Sequence, residues 1–551
     1  MKKSRIPRWL KISCLVVAGL MVGMLALLIG LGWYVKHQLL DSGGVLPASM
    51  EAYDVRHYDL EIAVDPAERR IDGRNTVTVA VLQPLTEFEI NLDKRLDVES
   101  VTADGAECKF KHRRGVIRAA LPEAWEAGER HAVEIVYGGE PIVALHPPWI
   151  GGFVWSETPA GDPWVGVTGQ GGGGDNWWPC KDHPSDEPDE GMDIALTVPS
   201  GLVGLSNGLP LGKVDNRDGT VTSRWRVSYP INNYLVTVNI APYVPVEERY
   251  HGVDGDLDVP IIFWSLPEYE DEARVMWRQM PIILEVLGRR FGEYPFLDDK
   301  FWVAHAPYLG MEHQTLVAYG ADFTDNSYEF DWLLLHEVAH EWWGNKITVS
   351  DWADFWIHEG FASYAEAIYV EDTLGEQEYL DYMQRLLGRV RNSKPIIQGE
   401  NLTSAEAYTG DIYAKGAWVL HTLRWLLGDE QFFEVIWRFV NDPEYAYGLV
   451  STDDLIALVG EVSDRDLEWF WDRYLHRAAE PSWHVDRRAE DGRERVEIAW
   501  DDPAFELPLP VSVGGEMLRL EMPGGRAELT VESGTVIEID PEGRVLGEPV
   551  D

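Results

Sequence analysis

Residues 336–340 read His336-Glu337-Val338-Ala339-His340, and Glu359 follows with 18 residues between it and the second His. At ~3.6 residues per helical turn, His336 and His340 fall one turn apart on the same face, so two imidazoles can hold one metal ion. Glu337 sits on the flank of that face, where it reaches a water activated by the ion rather than the ion itself. The run Trp332-Leu333-Leu334-Leu335 before the pentapeptide and Trp342-Trp343 after it predict a buried helix. Ionisable groups buried without partners are costly, and a divalent cation is the simplest partner for this set. Residues 346–356 read as a connection, and helical pattern resumes at Ile357-His358-Glu359. Two helices would then present His336, His340 and Glu359 to one ion and leave a fourth position for water. That is the ligand count of a catalytic zinc site, with one Zn2+ per chain, rather than a closed structural one.

Both ends and the composition bound what surrounds this site. Lys2, Lys3, Arg5, Arg8 and Lys11 precede an uncharged run over residues 12–35, which Lys36 closes. At ~1.5 Å per residue such a run spans a ~30 Å hydrocarbon core. It exceeds the usual ~7–15 residue core of a cleaved signal peptide. The expectation is one transmembrane helix at residues 12–35, a basic cytoplasmic tail at 1–11, and a catalytic part on the periplasmic or extracellular side. Net charge is −46, from 47 basic and 93 acidic residues, which argues against a nucleic-acid partner. Cys14, Cys108 and Cys180 make no disulfide framework. Cys108 and Cys180 either pair or remain buried thiols.

The remaining chain is too long for one core and reads as a multidomain α+β protein. After a linker at 36–50, residues 51–245 alternate apolar and polar positions, as in His57 to Val64 and Asn75 to Val81, and predict an antiparallel β domain. Residues 246–478 turn mainly helical, with segments expected at 268–292, 329–345, 357–371, 376–392, 411–427, 430–441 and 452–476. Residues 479–551 return to short strands, a small C-terminal β-sandwich. The run Gly169-Gln170-Gly171-Gly172-Gly173-Gly174 lacks the Lys-Ser/Thr of a phosphate loop and reads as a backbone-approach loop feeding a site.

Several segments, in order, resemble the aminopeptidase N family of zinc metallopeptidases (gluzincin aminopeptidases). They are Trp178-Pro179-Cys180-Lys181-Asp182-His183-Pro184-Ser185-Asp186, Ser206-Asn207-Gly208, Gly310-Met311-Glu312-His313, the segment from His336 to Asn345, His358-Glu359-Gly360-Phe361-Ala362 and Tyr413-Ala414-Lys415-Gly416. The resemblance spans roughly residues 50–480. It implies an N-terminal β saddle, a thermolysin-like catalytic domain, and a short terminal β domain where larger relatives carry a long helical one.

It also implies a zinc-dependent aminopeptidase acting on peptides with a free N-terminus. Ion-activated water would attack the amide, with Glu337 moving the proton. Tyr413 would donate a hydrogen bond to the developing oxyanion. Glu312, with Gly310 and Met311 in the same motif, would pair the substrate's α-ammonium. Leu309 and His313 depart from the family's Gly and Asn at the ends of that motif. Gln170 would assist if the glycine loop enters the site. Asp354 and Glu366 are candidate acceptors for the outer nitrogens of the ligand imidazoles. The alternatives are a zinc endopeptidase or other hydrolase on the same scaffold, or a catalytically silent binding protein.

Overall fold

Alternation along Tyr53–Asp65 becomes a strand with one buried face: Tyr58, Leu60, Ile62 and Val64 are buried while Glu61, Ala63 and Asp65 are exposed. A computed structural model describes residues 41–490 and 492–550, together with Met24. The expected anchor at residues 12–35 otherwise lies outside the described residues, as do the basic tail at 1–11 and residues 36–40 of the linker. Among the described residues no helix is long and apolar enough to cross a membrane.

Tyr53–Asp65 belongs to an eight-stranded sheet, flanked by Arg70–Val81 on one side and Met192–Pro199 on the other. This corrects the expectation of a purely antiparallel domain, because Tyr53–Asp65 and Met192–Pro199 pair in parallel, Tyr58 opposite Met192. Period-two alternation records which face is buried, not the direction in which a neighbour runs. A four-stranded sheet, Val203–Ser206, Val238–Ala241, Pro163–Thr168 and Gly152–Glu157, leads into the glycine loop. Cys108 and Cys180 are both buried free thiols.

The next sheet has five strands in the order Val244–Tyr250, Val259–Ser265, Phe301–His305, Leu316–Tyr319 and Gly310–Met311. The short strand Gly310–Met311 is its edge, and the helix Trp332–Ala339 packs beside it. The Ser206-Asn207-Gly208 turn ties the two regions together. Asn207 Nδ2 donates to Gln314 O at 2.7 Å, and Gly208 N–H donates to Thr315 Oγ1 at 2.8 Å.

Helix boundaries differ from the sequence expectation where backbone signals intervene. The segment 268–292 divides into Glu270–Trp277 and Met280–Phe291, the second opening with Pro281 in its first turn. Trp332–Ala339 begins at Asp331, whose side chain accepts from Leu334 N–H at 3.0 Å. The expected 452–476 helix is two, Thr452–Ser463 and Glu468–Leu475, broken at Asp464 in the left-handed region with φ 52°.

Two helices carry the second half of the site, Trp356–Leu374 and Asp411–Leu427. They cross where Gly360 meets Gly416. A Cβ on Gly416 would lie 2.9 Å from Gly360 Cα, and a Cβ on Gly360 would lie 3.0 Å from Gly416 Cα. Glycine at both positions lets the backbones touch, which draws Tyr413 toward Glu359. Beyond them, one small sheet of four strands and one of three dock on the helices. Trp425 Nε1 donates to Pro508 O at 2.9 Å and the Tyr474 hydroxyl to Leu546 O at 2.7 Å.

Gly416→Val should therefore lower the unfolding free energy by roughly 1–3 kcal/mol, the usual range for overpacking a filled interior. Chemical denaturation would read this as a lower midpoint at unchanged slope. An unchanged midpoint would mean the helices can separate without cost.

Candidate metal centre

His336 Nδ1 lies 2.8 Å from Glu366 Oε1, and His340 Nδ1 lies 2.8 Å from the Trp343 carbonyl oxygen. A carboxylate and a carbonyl only accept, so both protons sit on Nδ1 and both Nε2 atoms offer a lone pair inward. The two Nε2 atoms are 3.4 Å apart, and Glu359 Oε2 lies 3.4 Å from each. Donors of a tetrahedral zinc site with bonds of about 2.0–2.1 Å are separated by roughly 3.3–3.4 Å. The triangle thus has the edge length that one zinc ion demands. Glu359 Oε2 is buried and accepts no hydrogen bond, as suits an atom reserved for a cation.

The other carboxylate oxygen is fully engaged. Glu359 Oε1 accepts from Gln170 Nε2 at 2.9 Å and from the Tyr413 hydroxyl at 2.7 Å. Burial works to raise the Glu359 carboxyl, but the His336 and His340 rings outweigh it and lower it to about 2. Burial opposes a charged His336 ring, yet Glu359 and Glu366 overcome it and raise the ring well above its ordinary value. The site draws positive charge to these nitrogens, and a divalent ion competes for the same lone pairs.

Glu337 lies in the same cleft against the edge strand. A Cβ on Gly310 would fall 2.5 Å from Glu337 Oε1, so glycine at 310 is what allows that approach. Burial, reinforced by Glu312 and Glu359, raises the Glu337 carboxyl despite the nearby rings. Glu312, also buried in the cleft wall, has an Oε1 with no hydrogen-bond partner. Its backbone carbonyl accepts from Asn345 Nδ2 at 2.9 Å, which ties the strand to the turn after His340. Burial and then Glu359 act to keep the Tyr413 hydroxyl protonated and a donor.

The structure thus gathers His336, Glu337, His340, Glu359, Glu312, Gly310, Gln170, Tyr413 and Glu366 around one cleft of about 280 Å³. Two expected residues are not there. Met311 points to the opposite face of its strand, its sulfur 4.0 Å from Thr168 Oγ1, because neighbours in a strand alternate sides. Asp354 ends a short turn and is held by Thr452, so it supports neither imidazole. A backbone carbonyl, that of Trp343, takes the place proposed for it. Such an acceptor leaves no trace in residue type.

Other wall residues escaped the sequence reading. Ser363 lies one turn beyond Glu359 on the same helix face, a spacing that could have found it. Tyr408 reaches within 3.4 Å of the Tyr413 hydroxyl, and Tyr382 donates to Glu366 Oε2. Neither carries a local signal, because each arrives from a separate segment.

Comparison with known proteins agrees with this geometry. Residues 303–474 match the Peptidase family M1 domain. Aminopeptidase N of Haemonchus contortus is 24% identical over 443 residues, covering 72% of this chain and 43% of that protein. Aminopeptidase N of Streptomyces lividans is 27% identical over 275 residues, covering 45% and 31%. The chain spans less than half the length of these relatives. The M1 zinc metallopeptidase of Deinococcus radiodurans superposes with a TM-score of 0.66 at 25% identity, covering 78% of this chain and 94% of that one. A mutant of it bound to a Tyr-Ser-Ala substrate gives 0.65, covering 78% and 95%. The matched domain holds His336, His340 and Glu359, and the chain is similar to the M1 zinc metallopeptidases, the aminopeptidase N family.

Proposed function

We propose that this chain is a zinc-dependent aminopeptidase that removes the first residue from peptides with a free N-terminus. His336, His340 and Glu359 would hold the ion. When bound, zinc supplies a Lewis acid that polarises a carbonyl and brings the acidity of a water near neutral pH. The chain's own residues do the rest. Glu337 takes the proton from the attacking water and passes it to the leaving amine. Glu366 and the Trp343 carbonyl hold the two rings in the required tautomer. Tyr413, whose hydroxyl rests on Glu359 Oε1, would turn its one proton from there to the oxygen that gains charge.

The observation that carries the exopeptidase reading is Glu312. A buried carboxylate oxygen without a partner is costly, and Glu312 Oε1 is one, in the wall of the cleft that also holds the donor triad. An α-ammonium seated there supplies the missing partner and places the first peptide bond at the triad. Gln170, held at Glu359, lies where it can accept from the same ammonium.

The division at residues 51–245, 246–478 and 479–551 remains our reading of the chain's organisation. We propose further that residues 12–35 anchor the protein with its catalytic part outside the cytoplasm. The flanking basic residues and the uncharged run support this.

Hydrolysis of alanine arylamides should be abolished by a chelator and restored by zinc. Glu337→Ala should lose at least ~100-fold in kcat, the usual weight of a positioned general base, while binding one zinc. A variant that keeps its rate would remove Glu337 from the proton path. Glu312→Ala should weaken cleavage of free-amine substrates by ~10-fold or more, as expected for a lost charge-assisted pair. Wild-type cleavage of N-acetylated peptides at a comparable rate would sink the exopeptidase assignment. The full chain should stay with membranes through an alkaline wash, and a version lacking residues 1–40 should be released; recovery of the full chain in the wash refutes the anchor.

A further inference from the structure

The cleft has two ends, and only one is used by the reading above. Glu312 lies on the His340 side of the triad, its backbone carbonyl accepting from Asn345 Nδ2 in the turn after His340 at 2.9 Å. Glu366 lies beyond His336, on that ring's outer nitrogen. At this second end the cleft opens into a smaller cavity of about 120 Å³, and Trp332, Glu366, Leu386 and Arg389 line both. A peptide whose amine sits at Glu312 and whose first bond lies at the triad must run its leaving portion toward this end.

Arg389 is the only Lys or Arg lining the cleft among the described residues. Its side chain is exposed and makes no ion pair, hydrogen bond or ring contact among them. That is unexpected in a chain with 93 acidic residues against 47 basic ones. Arg385, one turn earlier, is occupied: it donates to Ser327 Oγ at 2.7 Å and lies over the Tyr328 ring at 4.6 Å. Glu366 is also committed, to His336 and Tyr382. Arg389 therefore presents a planar fork of donors to the cleft with its own neighbours already satisfied, and carboxylates are the groups such a fork matches.

We propose that Arg389 is a specificity-determining residue that binds a carboxylate on the leaving-group side of the scissile bond. The favoured substrates are then short peptides ending close to that bond, or peptides with an acidic second residue. This rests on the aminopeptidase reading and names its substrate class. The acidic end grips the amine and the single cation at the other end grips the carboxylate, so a short zwitterionic peptide matches the cleft at both termini.

The test compares kcat/KM for Ala-Ala and Ala-Ala-Ala with their C-terminal amides, and for Ala-Glu-amide with Ala-Gln-amide. Alanine arylamide serves as the check on aminopeptidase activity itself. Wild type should favour the carboxylate-bearing member of at least one pair by about tenfold, the usual weight of a charge-assisted contact. In Arg389→Gln that ratio should fall to near one, and Arg389→Lys should restore part of it. Preference within the first pairs assigns the terminal carboxylate as the ligand, and preference within the last assigns the acidic side chain. The inference is overturned if wild type shows no preference in any pair, or if Arg389→Gln keeps it. Failure to hydrolyse the arylamide would instead remove the aminopeptidase reading, and this inference with it.

Discussion

Two imidazole lone pairs and a carboxylate oxygen, each about 3.4 Å from the others in a buried pocket, form an arrangement that repels itself unless something positive sits among them. Protons can relieve it in part, as the raised affinity of His336 shows. A divalent ion relieves it fully, because the outer nitrogens have already committed their protons to Glu366 and the Trp343 carbonyl. Much of the neighbouring architecture serves to hold these three atoms at that spacing.

Close backbone approach is the means. The helix bearing Glu359 touches the helix bearing Tyr413 through Gly360 and Gly416, and Glu337 rests on Gly310 of the edge strand. On the other side, the glycine loop threads past neighbouring backbone to put Gln170 on Glu359. A Cβ on Gly171 would lie 2.4 Å from the Trp149 carbonyl oxygen. Each contact leaves no room for a side chain, so the polar groups meet without water between the elements that carry them.

How legible this was in the residues depends on whether the signal is local. His336, Glu337 and His340 declare themselves by helical spacing, and Glu359 by its distance and the helical pattern around it. Strands such as Tyr53–Asp65 declare themselves by alternation. The parallel pairing of that strand with Met192–Pro199 does not, because alternation carries no direction. Met311 was misplaced by treating a motif as a unit, although alternation within its own strand turns it away from the cleft. Asp354 failed for a different reason: the acceptor His340 uses is a main-chain carbonyl, invisible in residue type. Tyr382 and Arg389 come from Glu376–Leu387 and the turn after it, whose docking beside the site is purely tertiary.

The bond from Asn345 Nδ2 to the Glu312 carbonyl oxygen has a consequence for how the molecule measures. It ties the strand carrying the carboxylate to the turn directly after His340, so a shift of one pulls on the other. The separation between that carboxylate and the histidine nitrogens would then be the length that counts off one residue per cut. On the proposed reading, warming the protein would blur which side chains are tolerated well before it blurred how many residues are removed at each cut.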